Sequence, residues 1–134
     1  MTAVVDTNVF VISLTSKSPF HRIYTALTNQ EFTLAVSNEI ILEYLEIIGK
    51  KYSQRVAHEF INLLAELPNV TFINIYYNWN LISADKEDNK FTDCAIAAAA
   101  DYIVTEDSHF NVLKQIDFPK MNVIGVDEFM KMIG

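Results

Sequence analysis

The chain is poor in almost everything that would divide or staple it. Its one cysteine, Cys94, is alone among 134 residues. No intramolecular disulfide can form, and a reducing compartment is expected. Three glycines and three prolines leave no Pro/Gly-rich linker at which to cut the chain. With no internal repeat and no low-complexity tract either, residues 1–134 read as a single domain. No apolar run approaches the ~20 residues that span a bilayer. The opening Met-Thr-Ala-Val-Val-Asp has no basic segment and no small-residue cleavage site, so no signal peptide and a cytoplasmic location are expected. Basic residues are scarce too: ten against 17 acidic, a net charge of −7. Nucleic-acid binders usually carry a basic face, so a nucleic-acid ligand here requires some acids to be neutralised locally. Two bound divalent cations would bring the total to about −3, since bound metals are the largest local charges in a site. The acidity also suits a basic protein partner.

What the chain does have is apolar mass, 51% of its residues, enough for a full core at this length. Periodicity predicts alternating strands and helices. Strands are expected at Thr2–Val5, Phe32–Val36, Val70–Ile75, Tyr102–Thr105 and Asn122–Ile124. Helices are expected at Phe20–Leu27, from an N-cap at Ser37 to Ile48 near Gly49, from Ser53 to Glu66, and from Phe91 to Ala100. A short helix from Ser108 to about Lys114 and a closing one from Asp127 to Ile133, capped by Asp127, complete the set. Such alternation implies an α/β domain with a parallel sheet. Ligands bind such sheets beyond the carboxyl ends of the strands. Asp6 closes the first strand and Asp107 follows the fourth, so both belong to that rim.

Each acid has two readings. Asp6 and Asp107 could cap following helices or ligate a cation. Asp88 could cap the alanine-rich helix, support a ligand shell or join it. Asp93 is the only charge between Phe91 and Ala100. It must face water, a cation or the helix N-terminus, because an unpaired buried charge is costly. Glu43 lies with Glu39, Glu46 and Lys50 on one polar stripe of an amphipathic helix, and periodicity does not separate it from its neighbours. Zinc fits poorly, because His21, His58 and His109 show no paired spacing.

Four segments together resemble the PIN domain, the nuclease fold of VapC-like toxins. They are Val5-Asp6-Thr7-Asn8-Val9, Ser37-Asn38-Glu39-Ile40-Ile41-Leu42-Glu43-Tyr44, Asp88-Asn89-Lys90-Phe91-Thr92-Asp93-Cys94-Ala95-Ile96-Ala97, and Ile103-Val104-Thr105-Glu106-Asp107. Glu106 departs from the pattern, since similar sequences often have Gly there. The resemblance implies a three-layer domain with a five-stranded parallel sheet in order 3-2-1-4-5, flanked by helices. It implies an endoribonuclease with catalytic and metal-binding Asp6, Glu43, Asp93 and Asp107, a homodimer and a protein antitoxin. It also implies products with a 5′-phosphate and a 3′-hydroxyl.

The chemistry agrees with that residue set. Two unit charges 4 Å apart repel by roughly 4 kcal/mol at an intermediate dielectric, and hard Mg²⁺ or Mn²⁺ relieves such crowding through oxygen ligands. One or two ions are expected, since paired metals can activate water and stabilise the leaving oxygen of a phosphodiester. Asp6 and Asp93 are expected to hold the main ion, with Asp107 and Glu43 completing the shell or holding a second. Thr7, Asn8, Asp88 and Thr105 are expected to support them. Lys17, Arg22 and Lys90 are candidate RNA contacts. Tyr76, Tyr77 and Trp79 could stack bases or pack.

An aspartate-nucleophile phosphatase needs a second Asp at position 8, where Asn8 stands. A phosphoacceptor signalling domain needs an Asp after strand three, where Tyr76-Tyr77-Asn78 stands. A catalytically silent PIN-like module that binds RNA or protein is the remaining alternative.

Overall fold

The computed structural model describes all residues from Met1 to Gly134. Five parallel strands form one sheet in order β3-β2-β1-β4-β5, as the resemblance implies. They are β1 (Thr2–Val5), β2 (Thr33–Val36), β3 (Val70–Phe72), β4 (Tyr102–Val104) and β5 (Val123–Ile124). In β1, Ala3, Val4 and Val5 are all buried, as are Leu34 to Val36 in β2. Continuous burial rather than alternation is what a parallel strand covered on both faces requires. Six α-helices surround the sheet: α1 (Thr7–Ser13), α2 (His21–Thr28), α3 (Asn38–Lys51), α4 (Gln54–Glu66), α5 (Asn89–Ala97) and α6 (Val126–Ile133). Two 3-10 segments, Lys86–Asp88 and Ser108–Gln115, complete the chain. No helix is long and apolar enough to cross a membrane.

Strand order dictates the layers. The chain steps one way from β1 to β3, then returns to β4. With right-handed crossovers that reversal puts α5 on the sheet face opposite α1–α4. The cores differ accordingly. Phe10, Tyr44 and Phe60 cluster on the first face, with Phe10–Tyr44 centroids 5.3 Å apart in an edge-to-face pair. Phe91 meets Phe110 on the second. The order of strand addition reverses between β1 and β4, which remain parallel, and this junction is where an open α/β sheet leaves a crevice at its carboxyl edge.

Several boundaries differ from the sequence reading, each for a local reason. Helix α1 is formed by only seven residues, too short to announce itself by periodicity. Helix α3 runs through Gly49 to Lys51. A Cβ on Gly49 would lie 3.9 Å from the Ala57 Cβ, an ordinary contact with α4, so this glycine is a helix residue rather than a stop. Ser37 caps α3 as expected, accepting from Ile40 N, and Ser53 caps α4, accepting from Val56 N. Helix α5 starts at Asn89, two residues early, because the Asn89 amide both donates to and accepts from the Ile82 backbone at 2.9 and 2.8 Å. It stops at Ala97, because Ala99 takes a left-handed φ of 50°. Residue Gly125, not Asp127, occupies the N-cap position of α6.

The fold positions α3 through Tyr44. Its buried hydroxyl donates to the Val5 carbonyl at 2.5 Å, one residue before Asp6, which holds the adjacent Glu43 against the end of β1. Tyr44→Phe leaves that buried carbonyl without its donor and is expected to cost about 1–3 kcal/mol. Tyr52→Phe, at a 42% exposed residue whose hydroxyl bonds Val11 O, should cost well under half as much. Urea denaturation of both variants checks this, and equal losses would refute the anchoring role of Tyr44.

Candidate functional site

Asp6 follows β1 and occupies the N-cap position of α1, yet its side chain makes no cap hydrogen bond. Its Oδ2 instead accepts the Thr105 hydroxyl at 2.7 Å, across the β1–β4 junction. The same Thr105 oxygen accepts from Asp107 N at 3.0 Å. One threonine therefore sets both acids, a supporting role of the kind expected for it. Asp6 is 6% exposed. Burial raises its pKa first, the Thr105 bond opposes this, and the nearby Glu43 and Asp107 charges raise it further.

Glu43 is half-buried, whereas Glu39 and Glu46 on the same stripe are exposed. One of its oxygens accepts the Thr7 hydroxyl. The other accepts from Lys90 Nζ at 2.9 Å, and that ammonium also reaches Glu87 at 3.0 Å. Burial disfavours charge on Lys90, but the two carboxylates outweigh it and the net pKa is raised.

Asp107 does cap, accepting from His109 N at 2.9 Å. Asp88 sits at the N-cap position of α5 without capping. Its Oδ2 lies 3.3 Å from His109 Nδ1, which is also 3.4 Å from Asp107 Oδ1. Asp88 is pushed up to about 6, by burial first, with the His109 bond opposing and the charges of Asp107, Asp85 and Asp6 adding. Asp85, Asp88 and His109 each bring a ligand atom within 4.8 Å of the others. A cleft of about 370 Å³ opens beside the group, lined by Asp6, Asn8, Val9, Ile12, Glu106 and Asp107.

Four acids thus share one field at the carboxyl edge: Asp6, Glu43, Asp88 and Asp107. The sequence reading placed Asp93 among them; the structure sets it apart from the other three. Asp93 is five residues beyond Asp88, about 7.5 Å along the helix and roughly 140° around it. Its Oδ1 accepts from Trp79 N at 3.0 Å, and Glu39 supplies the only like charge that raises its pKa, after burial and against the Trp79 bond. It pins the 73–82 segment to α5. The register of α5 is the signal that finds Asp88, and it depends on the remote Asn89–Ile82 pairing.

The basic candidates divide as sharply. Arg22 is paired with Glu31 and donates to the Ile133 carbonyl at 2.8 Å. Glu31 precedes β2, so Arg22 lies at the opposite edge of the sheet, where it ties α2 to the end of α6. Lys90 is spent on two carboxylates. Lys17 is exposed and makes no ion pair. Glu106 lines the cleft beside Asp6 and Asp107, and its Oε1 accepts from Val126 N at 3.3 Å, securing the start of α6. Trp79 packs against Tyr77 and Phe118, at centroid distances of 4.9 and 6.3 Å, while Tyr76 projects into solvent.

The donor set fits a hard divalent cation. Asp6, Asp88 and Asp107 each keep one carboxylate oxygen with no side-chain donor. The ligand atoms already within 4.8 Å of one another are those of Asp85, Asp88 and His109, and oxygen ligands of like charge are what Mg²⁺ and Mn²⁺ select.

Comparison with known proteins relates the chain to others. A family model described as PIN domain matches residues 2–109. The chain is similar to one in the crystal structure of VapBC2 from Rickettsia felis bound to a DNA fragment from their promoter. That likeness has a TM-score of 0.63 and 16% identity, and covers 93% of this chain and 98% of the other. At that identity it shows the shared fold. No curated protein matches the chain.

Asp88 carries a pH consequence. Its folded pKa of about 6 exceeds its ordinary value of 3.8. Between those values the folded chain holds a proton that the unfolded chain has released. Stability from this group therefore falls as pH rises through that window and is level above it. Asp88→Asn removes the effect. In metal-free buffer the variant should melt a few °C above wild type at pH 7.5 and at the same temperature near pH 4. A variant less stable than wild type at pH 7.5 would contradict the crowding.

Proposed function

Because the chain belongs to the PIN domain family, we propose that it is a divalent-cation-dependent endoribonuclease and the toxin of a toxin–antitoxin pair. The observation that carries this reading is the joint field of Asp6, Glu43, Asp88 and Asp107 at the β1–β4 junction. A Mg²⁺ or Mn²⁺ ion held by Asp6, Asp88 and Asp107 would neutralise phosphoryl oxygens and lower the pKa of water.

The protein's own groups prepare the rest. Thr105 orients Asp6 and the turn to Asp107. Thr7 and Lys90 orient Glu43. His109 spans Asp88 and Asp107. Asn8, exposed on the cleft wall, presents an amide to an RNA phosphate, and Lys17 is left to screen the backbone. Asp93 enters this scheme as the support of the Trp79 segment rather than as a ligand. Hydrolysis here uses water with the 3′-oxygen as leaving group, which the family likeness implies, giving a 5′-phosphate and a 3′-hydroxyl without the RNA 2′-OH.

The partner reading has two supports. The VapBC2 structure is, by its description, a complex bound to promoter DNA, and this chain shares that fold. The net charge of −7 favours a basic antitoxin by complementarity. A homodimer is proposed on the family likeness.

The test is cleavage of a mixed pool of cellular RNAs, with products mapped for their end groups. Activity should require Mg²⁺ or Mn²⁺ and end with EDTA. Asp6→Asn should lower it by about 10²–10³, the scale of losing one charge-stabilising group. Asp93→Asn should retain most of it. Cleavage that persists in EDTA, or that leaves 2′,3′-cyclic ends, would overturn the proposal.

A further inference from the structure

Glu106 uses only half of its carboxylate on the fold. The cleft of about 370 Å³ is lined by α1 and by the loop that follows β4. From α1 come Asn8 and Ile12, four residues apart and so on one helix face, with buried Val9 between them. Ile12 is 37% exposed and gives this cleft an apolar surface beside the acids. From the loop come Glu106 and Asp107. Glu106 Oε1 accepts from Val126 N at 3.3 Å, whereas no protein donor reaches Oε2. A Cβ on Gly125 would stand 3.1 Å from Oε2. The φ of Gly125, −86°, is open to any residue, so what this glycine supplies is room for the carboxylate. No basic side chain pairs with Glu106.

An unpaired carboxylate repels a phosphodiester brought into the same cleft. It is favourable there only if the ligand meets it with donors. RNA carries such donors on its bases, and in a single strand their Watson–Crick edges are open to side chains. A carboxylate only accepts hydrogen bonds. Adenine and cytosine present an amino group to it, at N6 and N4. Uracil presents carbonyl oxygens on both sides of its one N–H, and these repel it. We infer that Glu106 is a specificity-determining residue: it accepts from the Watson–Crick edge of one unpaired base seated against Ile12, and so selects adenine or cytosine over uracil next to the scissile phosphate. The inference rests on the nuclease reading and deepens it, naming single-stranded RNA as the substrate class. The cleft has the size of a small-ligand pocket, with room for one nucleotide rather than a duplex. Asn8 remains free for the phosphate, as the same strand passes from the base to the acids.

The experiment measures binding of end-labelled RNA decamers of adenosine, cytidine or uridine by fluorescence anisotropy, in Ca²⁺ buffer and with intact RNA verified on a gel. Wild type, Glu106→Gln, Glu106→Ala and Ile12→Ala are compared, with circular dichroism melts as the folding check. Wild type should bind the adenosine and cytidine decamers about five- to tenfold more tightly than the uridine one, the low end of what a base-edge contact discriminates. Glu106→Gln keeps an oxygen for Val126 N and turns the other arm into a donor. It should melt with wild type, yet lose or reverse the preference. Glu106→Ala should melt lower and also lose the preference, which keeps the test open if Glu106→Gln does not fold. Ile12→Ala should weaken all three decamers alike. Equal binding of the three by wild type, or an unchanged preference in Glu106→Gln, would leave Glu106 a tether only and overturn the inference, with the nuclease reading standing. No binding of any decamer by folded wild type would overturn the RNA reading and this inference with it.

Discussion

The structure is organised around a local excess of negative charge at the one place where the strand order reverses. Asp6, Glu43, Asp88 and Asp107 come from four separate elements, and the sheet order brings all of them to the β1–β4 junction. Such a gathering is unfavourable by itself. Burial raises the pKa of Asp6 and Asp88, and each charge raises the next. The surrounding groups read as responses to that constraint. Thr105 and Thr7 donate hydroxyls, His109 approaches two carboxylates, and Lys90 turns inward. What these donors leave unanswered is one oxygen on each of three aspartates.

Rigidity around the acids comes from packing at a distance. Tyr44 fixes the α3 register through Val5, and its ring is held edge-on by Phe10 and tilted against Phe60. Glu106 illustrates the same economy of placement. It lies between Thr105 and Asp107, yet its carboxylate serves the first amide of α6. A negative charge at a helix N-terminus is favourable, and a residue there in place of glycine gains a tether for the closing helix. Arg22 does the complementary work at the other end of α6, its cation on the last carbonyls.

Much of the fold was legible because parallel strands buried on both faces leave continuous apolar runs, as in Val4-Val5 and Ile103-Val104. The strand order was not in those runs and came from family likeness. The acids were only partly legible. Every one of Asp6, Asp88 and Asp107 precedes a helix, so capping and ligation are indistinguishable locally. The structure separates them: only Asp107 uses its side chain as a cap. Asp93 was favoured over Asp88 by the family resemblance and as the only charge on an apolar helix expected from Phe91 to Ala100. The true start of α5 depends on Asn89 bonding Ile82, a contact between an irregular segment and a helix that no periodicity records. Glu43 could not be told from Glu39 or Glu46 because its distinction is tertiary: proximity to Thr7 and Lys90. Arg22 looked free for RNA because its partner Glu31 is nine residues away in a different element.

The most direct test is where a metal goes. Crystals soaked in Mn²⁺ and measured at the manganese absorption edge would locate the ion by its anomalous signal. A peak bounded by Asp6, Asp88 and Asp107, with Glu43 still paired to Lys90, is the result expected here. A peak on Asp93, or Asp88 turned away from an ion held by the other acids, would contradict the assignment of the rim.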